Sequence, residues 1–223
     1  MIVRITMRKP TTTIELTNRD RRILDVLTVR VRLLSLSQIA RSFWPEARAP
    51  IASARKRMTL LEQAGLVDRL TVLARPELAL SAPIMKWAPG AQSPNFGSIA
   101  FQLQNRWKRP PAPTTVVVAT ARAGNWRGGE GGRRPRTSEA THDLHVAAVY
   151  LKLVAEQPGR AEFWISESTL ARSMRGPGVR LPDAMIDDPS ERTVIEFGGA
   201  YSKTKLADFH EFCRNAKLAY EIW

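Results

Sequence analysis

The sequence of 223 residues contains one cysteine, Cys213, so neither an intrachain disulfide nor a cysteine-based zinc site can form. A single packed thiol suits a reducing compartment, and a cytoplasmic protein is expected. No apolar run approaches the ~20 residues a membrane helix needs. Residues 1–13 also lack the apolar core of a secretory signal. There is no Gly-x-Ser-x-Gly elbow and no phosphate-cradling Gly-x-x-x-x-Gly-Lys-Ser/Thr loop, so nothing points to a serine hydrolase or a P-loop enzyme. Acidic residues are also few.

Thirty-four Lys and Arg stand against 21 Asp and Glu, a net charge of +13. Residues 1–75 hold 15 basic and 6 acidic groups, and residues 76–137 hold 9 and 2. Residues 138–223 reverse the balance, with 10 and 13. A basic front joined to a slightly acidic back implies two units with different tasks, the front one binding a polyanion such as nucleic acid.

Three helices are expected in the front. Thr17 is a good N-cap for a helix that places Ile23, Leu24 and Leu27 on one side. Ser35 or Ser37 caps a second, over Gln38 to Trp44, stopped by Pro45. A third covers about Ile51 to Gln63 and ends at Gly65, where a left-handed residue is commonly needed. Leu66 to Ala74 reads as a strand and Ala82 to Trp87 as its return. The expectation is a winged helix-turn-helix over residues 1–87. Its third helix would enter a DNA major groove, presenting Arg48, Ser53, Arg55, Lys56 and Arg57. Those charges also suit a solvated helix face; helix order, glycine stop and basic balance favour DNA.

Residues 88–137 read as a basic linker broken by prolines, with a helix candidate from Phe96 to Trp107 and a strand candidate from Thr114 to Thr120. The glycine- and arginine-rich stretch after Gly124 carries Arg127, Arg133, Arg134 and Arg136. It reads either as a loop that tightens on phosphates or as a mobile surface loop.

From residue 138 the pattern becomes regular: a helix over 138–154, a strand over 162–167, a second over 179–186 with Asp183, and a third over 192–197 with Glu196. A helix over 203–215 and a strand over 218–223 close the chain. Asp183 and Glu196 also suit a turn residue and an edge-strand charge, but a carboxylate within Val194-Ile195-Glu196-Phe197 is costly to bury unless paired or metal-bound. His142 and His145, three apart on a helix, suit capping or DNA contact better than zinc, since no further ligand motif accompanies them.

Pro182-Asp183, the Ile195-Glu196-Phe197 strand and the order helix, three strands, helix, strand resemble the core of the PD-(D/E)xK nuclease-like superfamily over residues 138–223. The resemblance implies an α+β or α/β fold in which Asp183 and Glu196, with Glu139 or Glu167, hold Mg²⁺ or Mn²⁺ for phosphodiester hydrolysis. Where that superfamily places lysine this chain has Gly198, so catalysis would need Lys203 or Lys205; without them the module is a scaffold. The whole chain is similar to the replication-relaxation family of plasmid and mobile-element proteins, through the front helices, His142-Asp143-Leu144-His145, Trp164, Pro182-Asp183 and Ile195-Glu196. That similarity implies a double-stranded-DNA-binding protein in replication, mobilisation or transcriptional control. A homodimer or other mobile-element proteins are the expected partners, and no membrane. The alternative is a metal-dependent endonuclease.

Overall fold

The computed structural model describes residues 14–173 and 181–223. The chain is mixed α/β with two sheets, and it divides into two compact units. The first takes residues through Val72 together with Thr114–Pro135, the second Leu73–Pro113 with Arg136–Trp223. These boundaries differ from those expected at residues 87 and 137. The stretch read as a linker is folded, and it is shared between both units. Charge still differs across the new boundary. The first unit's sequence has 18 Lys and Arg against 7 Asp and Glu, a net of +11, and the second has 16 against 14, a net of +2.

In the first unit, helix α1 (Asn18–Asp25) opens with a capping box between Thr17 and Asp20. It runs into a π-helical turn over Val26–Arg30, closed by the Val31 N–H donating to the Val26 carbonyl at 2.9 Å. Strand β1 (Leu34–Ser35) follows, and Ser35 with Gln38 forms a second capping box for α2 (Leu36–Phe43). Helix α3 (Pro50–Gln63) begins with proline at its first position, where the missing N–H costs nothing. It ends at Gly65, whose φ of +69° allows the Gly65 and Leu66 N–H groups to satisfy the Glu62 and Leu61 carbonyls. Ile23, Leu24, Leu27, Ile39, Ala54, Met58 and Leu61 are buried at helical spacing and make the core.

Strand β2 (Val67–Ala74) is not answered by the expected return strand. Its neighbour is β4 (Ala112–Ala119), which lies in the middle of a three-stranded sheet of order β1-β4-β2. Val116, Val117 and Val118 are all buried, as a central strand of β-branched residues should be. Helix α5 (Ala121–Arg127) follows at once, capped by Thr120. The residues expected to return, now β3 (Met85–Trp87), pair instead with β8 (Ala219–Ile222) of the second unit.

The second unit's five-stranded sheet has the order β3-β8-β7-β6-β5, with β5 (Trp164–Ser166), β6 (Ala184–Asp187) and β7 (Arg192–Glu196). Only β7 and β8 run parallel. Helices α4 (Phe96–Asn105), α8 (Glu167–Ser173) and α9 (Lys203–Asn215) share one core with Met185, Val194, Tyr220 and Ile222. Helix α6 (Ala140–Glu156) offers Tyr150 edge-on to Trp164 and stacks His145 on Phe197 at 4.8 Å; the short α7 (Pro158–Glu162) follows it. Cys213 is buried in the core, as a packed thiol. Val179 and Arg180, expected to begin the Asp183 strand, lie outside the described residues; the strand itself starts at Ala184. Among the described residues no helix is long and apolar enough to cross a membrane.

Candidate nucleic-acid interface and carboxylate site

Ala54, Met58 and Leu61 fix which side of α3 faces inward, and so which side faces solvent. Arg55 and Lys56 are exposed, Arg48 is exposed in the turn before the helix, and Ser53 is half-buried. Arg57 departs from the expected set. Its Nε donates to Asp20 Oδ1 at 2.8 Å, a second nitrogen pairs with Asp20 Oδ2, and that same nitrogen donates to the Glu15 carbonyl at 2.8 Å. Asp20 is fully buried. Burial works against its charge, yet the hydrogen bonds from Arg57 and Thr17 hold the carboxyl below its usual range. Arg57 therefore ties α3 to the cap of α1 rather than facing a groove.

The arginines of the glycine-rich stretch also separate. Arg127 pairs with Asp25, and Arg136, in the second unit, pairs with Glu139 at 3.4 Å. Arg133 and Arg134 are exposed. The stretch itself is packed rather than loose. Glu130 N–H donates to the Thr28 carbonyl at 2.7 Å, and Gly132 N–H to the Ala119 carbonyl at 2.8 Å. A Cβ at Gly129 would lie 2.3 Å from the Thr28 oxygen, and one at Gly131 would lie 2.1 Å from the Thr120 oxygen. The glycines there permit close backbone approach.

In the second unit Ala184 faces Ile195 across β6 and β7, so one further step of that register sets Asp183 opposite Glu196. Their carboxylates nonetheless serve different partners. Asp183 Oδ2 accepts from the Phe197 N–H at 2.7 Å and lies 3.0 Å from His142 Nε2. Glu196, buried, accepts from the Tyr201 hydroxyl at 2.6 Å. Glu139 sits at the N-cap of α6 beside Arg136, and Glu167 opens α8, its N–H donating to the Asp183 carbonyl at 3.1 Å. Among the described residues no three His, Cys, Asp or Glu side chains are gathered to hold a metal ion. The expected trio of Glu139, Asp183 and Glu196 is thus not assembled as a cation site. Each carboxylate already has a donor or cation of its own.

His142 is the cation in this cluster. Burial works against its charge, but hydrogen bonds to Asp143 and Asp183 outweigh that cost and push its pKa up to about 10. His145, one turn on, is the opposite case. The Leu78 N–H donates to its Nε2 at 3.0 Å, so its Nδ1 carries the proton and donates to the Thr141 carbonyl at 2.6 Å. Burial lowers its pKa and keeps it neutral.

The absent lysine has a steric explanation. A Cβ at Gly198 would lie 2.9 Å from Leu103 and 3.2 Å from Ile222, so α4 occupies the space a side chain would need. Of the two substitutes expected from sequence, Lys205 places its Nζ 3.6 Å from the centroid of the Tyr201 ring, one side chain away from Glu196. Lys203 is exposed at the start of α9.

Sequence reasoning missed Tyr201 and Arg106. Arg106 donates to the Trp223 carbonyl at 2.9 Å and to the Gly198 carbonyl, with its guanidinium 4.1 Å from the centroid of the Phe197 ring. Burial lowers its pKa to about 10. It lay in the supposed linker, and no local pattern connects it with residue 198. No family model, curated protein or solved structure matches the chain.

Proposed function

We propose that the chain is a DNA-binding protein whose first unit is a winged helix, with α3 entering the major groove of a duplex. The observation that carries this reading is the outward face of α3, where Arg55 and Lys56 stand exposed with Arg48 just ahead. The helix is seated on a unit whose sequence bears a net charge of +11. Three helices backed by a sheet of order β1-β4-β2 support the reading, with β2 and β4 as the wing strands. Arginine suits a guanine edge, and either cation suits phosphate. The setting is replication, mobilisation or transcriptional control on a plasmid or other mobile element. The second unit is then a nuclease-like scaffold used for docking or dimerisation. Duplex affinity measured against salt concentration tests the proposal. Release of several counterions demands a steep decline, and a flat response removes groove docking.

A metal-dependent endonuclease is the second reading, favoured by Asp183 standing just ahead of β6 and Glu196 at the end of the neighbouring β7. Its test is supercoiled plasmid incubated with the chain and Mg²⁺ or Mn²⁺, with EDTA and Asp183→Ala as controls. Nicking that requires both metal and Asp183 would establish it. Plasmid that is retarded in a gel and never cut would favour the scaffold.

A further inference from the structure

Of the six tryptophans, only Trp126 is exposed, with 51% of its surface open to solvent. It sits on α5, and the base beneath it is tightly built. Thr120 Oγ1 donates to the Gly65 carbonyl at 2.7 Å, and Arg122 Nη1 to the Ala64 carbonyl at 3.0 Å, so the start of α5 is clamped to the end of α3. On the far side, the Gly129 N–H donates to the Gly124 carbonyl at 2.9 Å and the Glu130 N–H to the Thr28 carbonyl at 2.7 Å. A Cβ at Gly124 would lie 2.7 Å from the Glu130 backbone, which leaves the strap no slack. Arg127 lies with its guanidinium 5.2 Å from the centroid of the Trp126 ring and is itself held by Asp25. The ring is therefore presented outward on a fixed mount that is part of the same unit as α3.

A large aromatic held open in this way gives up the apolar burial that fixes Trp87, Trp164 and Trp223 in place. What it offers is one flat face beside the Arg127 guanidinium. The strap then returns to the start of α5, where Gly131 and Gly132 lie against Thr120 and Ala121, and Arg133 and Arg134 stand exposed just beyond. Flat rings among arginines suit nucleobases, because every base has a π-face and its neighbours are phosphates. Bases inside a continuous duplex are already stacked on one another, so the complementary ligand is an unpaired one.

Resting on the DNA-binding reading, we propose that Trp126 is a stacking platform for an unpaired base, with Arg133 and Arg134 taking the flanking phosphates. The first unit then prefers DNA with a local unpaired segment to uninterrupted duplex.

Fluorescence anisotropy tests this with three labelled probes: a duplex, the same duplex with a central unpaired bubble, and a short oligothymidylate. The wild-type chain should bind the bubble more tightly than the duplex. Trp126→Ala should lose about tenfold on the bubble and on oligothymidylate while holding the duplex as before. Trp126→Phe, which keeps an aromatic face in the same mount, should recover part of the loss, and its thermal midpoint should match that of the wild type. Equal wild-type affinity for bubble and duplex would overturn the platform and leave the duplex-binding proposal intact. So would an alanine variant that weakens all probes alike. A wild-type chain that binds no probe would sink both.

Discussion

The two units handle charge in opposite ways. The first directs it outward: Arg48, Arg55, Lys56, Arg133 and Arg134 are exposed on a unit of +11, and its one fully buried carboxylate, Asp20, is matched by Arg57. The second is nearly balanced and buries more of its carboxylates. Asp143, Glu196 and Glu221 are buried; Glu221 is met by Arg160 at 3.0 Å and by the Trp223 ring N–H at 3.0 Å, and Glu196 by Tyr201. Exposed cations cost little and face an outside polyanion, whereas buried ones are committed to the fold. The difference separates residues for binding from residues for folding even within one helix, since Arg55 and Arg57 are two positions apart.

The largest effect should come from breaking the inward pair of the outward-facing unit. Asp20→Ala removes the capping-box carboxylate and strands Arg57, and should cost about 3 kcal/mol in urea unfolding. A loss below about 1 kcal/mol would mean that the pair behaves like an exposed one. Next, Arg48→Ala, Arg55→Ala and Lys56→Ala combined should weaken duplex binding by about tenfold or more and lower the salt slope by about two to three. The unfolding midpoint should stay in place, and a fall would put these side chains among the folding residues.

The third effect belongs to the second unit and is smaller. The pKa of His142 lies above its unfolded value of 6.5, so its stabilisation is full below pH 6.5 and is lost as pH rises towards about 10. The pKa of His145 lies below 6.5, so its contribution is full above pH 6.5 and is lost as pH falls. Burial lowers the pKa of His210 in the same sense and adds to the acid side. Stability should therefore peak near pH 6.5 and fall on both sides, the alkaline loss reduced by partial solvent screening of His142. His142→Gln should flatten the alkaline limb far more than the acid one, since the His142 charge is only a minor cause of the lowered His145 pKa; a variant that flattens both equally would refute the division.

The smallest concerns how two helices stop. Helix α3 ends on Gly65 in the left-handed region, while α9 ends in the same hydrogen-bond pattern with Lys217 at φ +53°. Lys217→Gly should add about 0.5 kcal/mol, and Gly65→Lys should subtract more. Thermal midpoints of both variants decide it.

What could be read in advance follows how local its cause is. Thr17, Ser35 and Gly65 act within one helical turn; Thr17 and Gly65 were legible in their roles, and Ser35 was one of two candidates for its cap. Glu196 was placed on its strand because three apolar neighbours announce it. Strand pairing is not local: the 85–87 segment has the same composition whether it answers β2 or β8, and only the assembled sheet decides. Arg57 and Asp20 lie 37 residues apart, and Asp183 and His142 are likewise joined only by the fold, so neither pair had a signature in spacing. The stretch read as a linker has conspicuous prolines, and its buried residues, in α4, β4 and α5, pack into two different units.

The position of β4 in its sheet bears on how the protein is made. A ribosome releases α1, α2, α3 and β2 well before residues 112–119, and β1 and β2 have no neighbour until that strand arrives. By then β3 has also emerged, and its own neighbour, β8, follows more than 100 residues later. Each sheet thus waits for a strand far along the sequence, and release of a fragment ending at residue 87 would leave β1, β2 and β3 without their neighbours and open to other chains.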